Sequence, residues 1–298
     1  MRILITGATG FIGFNLLKEL QKEDHEFTIT GHDAENRLKD FKGKYLQPSF
    51  SGIDWDAIGE VDIVYHLAAI NDTTNYDDKE VMDANFHDSI RLFKHVIANG
   101  CKRIVYASSC AVYGDAPAPY TEDVPKNPLN PYGKSKLKLD QETMLLAKEN
   151  PDVTFVGLRF SNVYGPGESH KGFRSSMALQ WAHQMRKGNP KCFIDGNQKR
   201  DFVYVADAIK GCILASKAKK SCIVNIGSGK ARSWNDMLKI LNKVLKMNRL
   251  TKFIPNPYED KYQTFTECDL TKAKEFIGFE PDYDLEKGLQ AYFDSGEL

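Results

Sequence analysis

Arg2-Ile3-Leu4-Ile5-Thr6-Gly7-Ala8-Thr9-Gly10-Phe11-Ile12-Gly13 is the stretch from which the rest of the chain is read. Residues 2–6 form a short apolar run with β-branched members. Gly7, Gly10 and Gly13 follow at three-residue spacing, and Phe11, Ile12, Leu16, Leu17 and Leu20 then recur at helical spacing. The pattern predicts a buried strand, a tight glycine turn and an amphipathic helix. Gly7 lets the chain turn sharply. Gly10 lacks a Cβ, so a pyrophosphate can approach the backbone. Gly13 lets helix and strand lie close, and the helix N-terminus offers free N–H groups and a positive dipole end. The spacing is G-x-x-G-x-x-G rather than G-x-G-x-x-G. A dinucleotide site is the reading, set against a plain strand–turn–helix.

The 298 residues suffice for one large α/β unit or two domains sharing a sheet. Lys+Arg and Asp+Glu balance at 40 each. That balance argues against nucleic-acid binding through a general basic field and against a polybasic membrane anchor. No apolar run approaches the roughly 20 residues needed to cross a bilayer. The segment before Gly7 is too short for a signal-peptide core, so a cytoplasmic location is expected. Cys101, Cys110, Cys192, Cys212, Cys222 and Cys268 are scattered without a C-x-x-C pair. Free thiols are expected, with no disulfide framework, and no His/Asp/Glu cluster points to a metal.

Phe27–Thr30 reads as the second strand, with Asp33 after it, about 20 residues beyond Gly13. A carboxylate there can bond the adenosine ribose hydroxyls and repels a 2′-phosphate, which favours NAD over NADP. Arg37 and Lys39 are near enough to reverse that preference. Val61–Leu67 is a further strand, ending in the small Ala68 and Ala69. Asp83–Ala98 is helical, closed by Asn99-Gly100, and Arg103–Tyr106 is the next strand. Proline is dense from Pro117 to Pro131; Tyr132–Lys148 is helical and Val153–Phe160 a strand. The alternation predicts an α/β fold, a Rossmann-type doubly wound parallel sheet with a smaller C-terminal substrate-binding region. The expected division is 1–165 for the NAD(P)-binding domain and 166–298 mainly for substrate. Segments near 203–226, Val203–Val205 and Ile223–Ile226, are expected to return to the main sheet.

Ser109 stands just past a strand's carboxyl end, where open parallel sheets bind ligands. Tyr132 and Lys136 are four apart on a helix and share a face. A free tyrosine has a pKa near 10. A neighbouring ammonium favours its phenolate, so Tyr132 can act as a base toward a substrate hydroxyl. Ser109 would hold that oxygen, and Lys136 would also grip the nicotinamide ribose. Taken alone each residue carries little; their order along the chain carries the reading. Ser233–Leu245 reads as an ordinary amphipathic helix with Trp234 and Met237 in the core.

Thr6–Gly13, His66-Leu67-Ala68-Ala69, Ala107–Gly114 and Pro131–Lys136 resemble the extended short-chain dehydrogenase/reductase superfamily, whose members act mostly on nucleotide sugars. Arg159–Pro166, Arg200–Asp207 and Asn225–Gly229 match its later landmarks, so the resemblance spans essentially the whole chain. It implies a tightly bound NAD or NADP held by Gly7, Thr9, Gly10, Phe11, Ile12, Gly13, Asp33, Leu67, Ala68, Ala69, Asn85, Tyr132 and Lys136. It assigns Asn162 to the sugar diphosphate or the sugar and Arg200 to the diphosphate, with Tyr262 and Gln263 closing over the sugar or phosphate. Glu168-Ser169-His170-Lys171-Gly172 and Lys261–Leu270 are further similar to the ADP-L-glycero-D-manno-heptose 6-epimerase family. That similarity makes Lys171 a second acid/base facing Tyr132 across the sugar and places His170 beside the substrate. Ser109-Cys110-Ala111 stands where the superfamily's dehydratases carry Thr-Asp-Glu, which argues against dehydration, and Cys110 reads as a packing thiol.

The expected activity is nucleotide-sugar epimerisation: transient oxidation of a sugar hydroxyl and re-reduction on the opposite face. The expected substrate is a nucleotide-diphosphate sugar, foremost ADP-glycero-manno-heptose. The alternatives are a UDP-hexose 4-epimerase and an NADPH-consuming nucleotide-sugar reductase. A homo-oligomer is expected, with no nucleic-acid or membrane partner.

Overall fold

The computed structural model describes residues 1–32, 37–39, 41–46, 54–71, 77–257 and 263–298. Asp33 and Tyr262 lie outside the described residues. The first half runs β1 (Arg2–Thr6), α1 (Phe11–Leu20), β2 (Glu26–Thr30), β3 (Lys44–Leu46), β4 (Ile63–His66), α2 (Asp78–Met82), α3 (Asp88–Ala98), β5 (Arg103–Ser109), α4 (Pro131–Glu149) and β6 (Thr154–Phe160). The second half runs β7 (Asn162–Tyr164), α5 (Met177–Lys187), β8 (Lys191–Phe193), β9 (Lys199–Tyr204), α6 (Val205–Ala215), β10 (Cys222–Ile226), β11 (Ala231–Ser233), α7 (Trp234–Val244), β12 (Lys252–Ile254), α8 (Thr271–Ile277) and α9 (Leu285–Asp294).

Seven strands form one sheet in the order β10-β6-β5-β4-β1-β2-β3, and every pairing is parallel. Successive residues of a strand point to opposite faces. Ile3 and Ile5 therefore join Leu16 and Leu17 of α1 and Ile209 and Cys212 of α6 on one face. Leu4 and Val64 join Val96 of α3 and Leu139 and Leu146 of α4 on the other. With both faces covered, the strands read as continuous apolar runs. The chain winds outward in both directions from β1, whose neighbours are β2 and β4. Such a reversal opens a crevice at the carboxyl ends of the strands.

Ile223–Ile226 returns to this sheet as part of β10, but Val203–Val205 does not. The place beside β6 is taken by β10, so β9 pairs with β7, from Asn162–Phe202 to Tyr164–Tyr204, and with β11. Val205 instead opens α6. A further two-stranded pair joins β8 and β12. The expected strand at Arg103–Tyr106 extends to Ser109, so Ser108 and Ser109 are its last residues rather than a loop beyond it. The expected helix from Asp83 is broken by a π-helical turn, Asp83–His87, which puts Asn85 at the break.

The helix that carries Tyr132 and Lys136 is anchored by a buried charge pair. Arg159 Nε of β6 donates to Asp140 Oδ2 at 2.9 Å, and Tyr106 Oη donates to Asp140 Oδ1 at 3.1 Å. Arg159 Nη1 also donates to Tyr113 Oη, which donates to Asn225 Oδ1 at 2.6 Å. One network thus ties α4 to β5, β6 and β10. Asn130 caps the helix by accepting from Gly133 N–H, and Pro131 sits at its first position.

Candidate active site

A cavity of about 910 Å³ lies at the carboxyl ends of the central strands. Gly7, Thr9, Gly10, Phe11, Ile12 and Gly13 line it from the β1–α1 turn, and Leu67, Ala68 and Ala69 from the end of β4. Ser109, Tyr132 and Lys136 line it from β5 and α4; Asn162, His170 and Lys171 line it from the chain after β6.

The glycines have separate steric reasons. Gly7 has φ +69°, and a Cβ there would stand 2.8 Å from Ala68 N. A Cβ on Gly13 would stand 2.2 Å from the Gly7 carbonyl oxygen, so the helix can lie this close only without one. A Cβ on Gly10 would meet only the Gly7 carbonyl, at 3.1 Å, which leaves its cavity side bare. The wall opposite Gly7 is fixed by a hydrogen-bond chain through His66. Ser89 Oγ donates to the Asn85 carbonyl (2.8 Å), so it accepts from His66 Nε2–H (2.7 Å). His66 Nδ1 accepts from Thr6 Oγ1 (2.8 Å), which in turn accepts from Ala68 N–H (3.2 Å). Burial pushes the His66 pKa down to about 3, so the ring stays neutral and the chain is fixed across the physiological range.

Lys136 is buried, at 1 % exposure, and its Nζ has no hydrogen-bond partner among the described residues. It lies 5.9 Å from the centroid of the Tyr132 ring. Burial pushes its pKa down to about 8, against the pull of the Asp140 carboxylate. Burial raises the Tyr132 phenol above its ordinary value, and the nearby Ser109 hydroxyl works the other way. A buried ammonium without partners calls for oxygen ligands. Together with the bare side of Gly10 and the N-terminus of α1, this fits a dinucleotide: the turn for the pyrophosphate, Lys136 for ribose hydroxyls.

Lys171 stands in the 3₁₀ turn Ser169–Arg174, its Nζ 5.3 Å from the Phe11 ring centroid. Burial lowers its pKa, Glu168 raises it and Arg174 lowers it. His170 Nδ1–H donates to the Gly167 carbonyl at 3.1 Å; its pKa is lowered by burial and by Arg37.

Two expected contacts are placed differently. Asn85 is wholly buried off the cavity wall: its Oδ1 accepts from Ile70 N–H (2.7 Å) and its Nδ2 donates to the Ile70 carbonyl (2.9 Å) and Ser135 Oγ (3.2 Å). It holds the loop after β4 instead of lining the cavity, because the π turn aims its amide at that backbone. Arg200 is also buried off the wall, its guanidinium 5.6 Å from the centroid of the Trp234 ring. Asp201 does not take it up; that carboxylate accepts from Ser228, Gly229 and Cys268 amides. Gln263 donates to the Tyr120 hydroxyl and lies outside the cavity lining.

Trp234, Met237, Phe202, Arg174 and Met177 also line the cavity. Trp234 and Met237 stand at the start of a helix that Ser233 and Asp236 close with a capping box, which fixes where the helix begins but not what its first turn faces. The six cysteines are free and buried; Cys110 and Cys268 Sγ are 3.3 Å apart.

Residues 3–227 match the NAD dependent epimerase/dehydratase family. Among solved structures, ADP-L-glycero-D-manno-heptose-6-epimerase of Helicobacter pylori is 32% identical, with a TM-score of 0.89 over 99% of this chain and 95% of that one. UDP-glucose 4-epimerase of Thermotoga maritima, solved with UDP-glucose, is 25% identical, with a TM-score of 0.90 over the whole of both chains. UDP-glucuronic acid 4-epimerase of Bacillus cereus, solved with UDP-glucuronic acid and NAD, is 28% identical, with a TM-score of 0.86 over 99% and 98% of the two chains. The chain belongs to the NAD dependent epimerase/dehydratase family. Within it, the chain is an NAD(P)-dependent nucleotide-sugar epimerase.

Proposed function

We propose that the chain epimerises a nucleotide-linked heptose, most simply ADP-glycero-manno-heptose at C6. The observation that supports this choice is Lys171: a second amine lines the same cavity as Ser109, Tyr132 and Lys136. Bound NAD(P) supplies the hydride acceptor and donor for the sugar carbon. Tyr132 takes the proton of the sugar hydroxyl, Ser109 hydrogen-bonds that oxygen, and the Lys136 ammonium favours the Tyr132 phenolate. After the ketone has turned, Lys171 and Tyr132 exchange acid and base roles on the two faces of the carbon. Asn162 and His170 hold the sugar diphosphate. Residues 1–165 bind the cofactor and 166–298, apart from β10, mainly the substrate.

The second reading is a UDP-hexose 4-epimerase, favoured by the likeness to the two 4-epimerases at 25% and 28% identity. There the sugar swings as a whole, and a second amine has no task. Incubating the purified protein, without added cofactor, with ADP-glycero-manno-heptose, UDP-glucose and UDP-N-acetylglucosamine separates the readings. Turnover of the heptose alone is expected, and turnover of only the UDP sugars rejects it. Stoichiometric consumption of added NADPH would mark a reductase. Among the described residues no helix is long and apolar enough to cross a membrane. A cytoplasmic homo-oligomer completes the proposal, with light scattering to check the assembly.

A further inference from the structure

Glu168 is a wholly buried carboxylate that the chemistry above does not use. Its two oxygens collect donors from both sides of the Ser169–Arg174 turn. Oε1 accepts from Gly165 N–H (3.3 Å), before the turn, and from Ser176 Oγ (2.6 Å), after it; Oε2 accepts from Ser176 N–H (2.6 Å). Tyr292 Oη, from α9, donates to Oε1 at 3.3 Å. The Glu168 carbonyl accepts from Lys171 N–H at 2.9 Å. The turn contains Gly172 at φ +56°, and its own side chains provide no buried core. A six-residue turn of this kind has little intrinsic stability, so its shape depends on what ties its ends.

We propose that Glu168 is the positioning residue for Lys171: its carboxylate closes the turn from both ends and thereby fixes the lysine against the cavity. The proposal rests on the reading of Lys171 as the second acid/base. Charge acts in the same sense as geometry. The groups that act on Lys171 are Glu168, which favours its ammonium, and Arg174, which opposes it; Phe11 lies under the ammonium, and His170 beside it faces Arg37. Other buried polar clusters serve the fold, and Cys110–Cys268 is deeply buried with the Cys268 thiol pushed well up, which makes it a poor nucleophile.

The test compares Glu168→Gln, Glu168→Asp, Lys171→Ala and the Glu168→Gln/Lys171→Ala double variant, with retained cofactor and melting temperature as controls for folding. Glu168→Gln should lower kcat by about tenfold, the loss of one well-placed charge contact, with little change in KM. It should also move the basic limb of the kcat profile to lower pH, because Lys171 loses the charge that keeps it protonated. Glu168→Asp keeps the charge but shortens the reach; kcat should fall while the basic limb stays in place. In the Lys171→Ala background Glu168→Gln should cost nothing further, since both act through one group. Wild-type kcat and pH profile in Glu168→Gln, or a full additional loss in the double variant, overturns the proposal. Should Glu168→Gln fail to fold, wild-type kcat in Glu168→Asp overturns it. Lys171→Ala at the wild-type rate instead rejects the reading of Lys171 itself, and is distinguished by that single variant.

Discussion

Tyr132 and Lys136 reach the cavity from the first turns of a 19-residue helix, whereas Lys171 reaches it from a six-residue turn. The helix is bolted to the central sheet by the Asp140–Arg159 pair and by Tyr106. The glycine turn beside it is held by backbone contacts too close for a side chain. The Lys171 turn relies on a few longer-range bonds: Glu168 at both ends, and Gly167, whose N–H donates to Glu297 Oε2 (2.6 Å) and whose carbonyl accepts from Arg37 Nη2 (3.1 Å). Under the proposed function, the side that would hold the cofactor is preorganised by regular structure, and the side that would hold the substrate by tertiary clamps. Such a division suits an enzyme that must keep one ligand and exchange another.

The largest effect expected is on the first side. Tyr132→Phe should lower kcat by about 10²–10⁴-fold, the usual worth of a general base, while retaining cofactor and fold; steady-state turnover and absorbance of the bound cofactor measure both. A loss of only a few fold would shift the weight of proton transfer to the Lys171 turn. Next, Arg159→Met should destabilise the protein by about 3–5 kcal/mol in urea unfolding, because Asp140 is left buried and unpaired. An unchanged midpoint would mean that the helix does not depend on this anchor.

The same contrast was present in how far the sequence could be read. The glycine spacing, the strand ends and Tyr132-x-x-x-Lys136 are local patterns, and periodicity alone brings their side chains together. The placement of β9 in the second sheet was not legible, since Val203–Tyr204 is as apolar as β10 and only competition for the β6 edge separates them. Asn85 and Arg200 stand where the family resemblance places contacts, but the π turn and the Trp234 ring hold them off the cavity wall. Trp234 and Met237 are core residues, as the periodicity of their helix indicates, and the cavity reaches down to that same face. Glu168 stands in the Glu168–Gly172 motif, but its role is not legible there, because its side chain's partners are Gly165, Ser176 and Tyr292.

Two smaller effects sharpen the comparison. Lys136→Met should stabilise the ligand-free protein at pH 7 by up to about 3 kcal/mol, because the buried ammonium carries a depressed pKa. The sign follows from proton counting. The unfolded chain keeps this proton up to about pH 10.5, whereas the folded protein releases it near pH 8. Wild-type stability should therefore gain from this group as pH rises from about 8 to 10.5, and Lys136→Met should lack that gain; melting curves across the range decide it. Gly13→Ala should cost about 1–3 kcal/mol and weaken cofactor retention, since its methyl would meet the Gly7 carbonyl. Calorimetry with and without added NAD reads both effects. Retained cofactor and an unchanged melting temperature would show that the turn is softer than its contacts imply.

The central claim, that carbon-bound hydrogen leaves and returns inside one cavity, is tested most directly by running the epimerisation in D₂O and analysing the product by mass spectrometry and NMR. The account predicts that the epimer forms with its carbon-bound hydrogen retained and no deuterium at the inverted carbon. One solvent deuterium per turnover at that carbon would contradict it and point to removal of a proton from carbon instead.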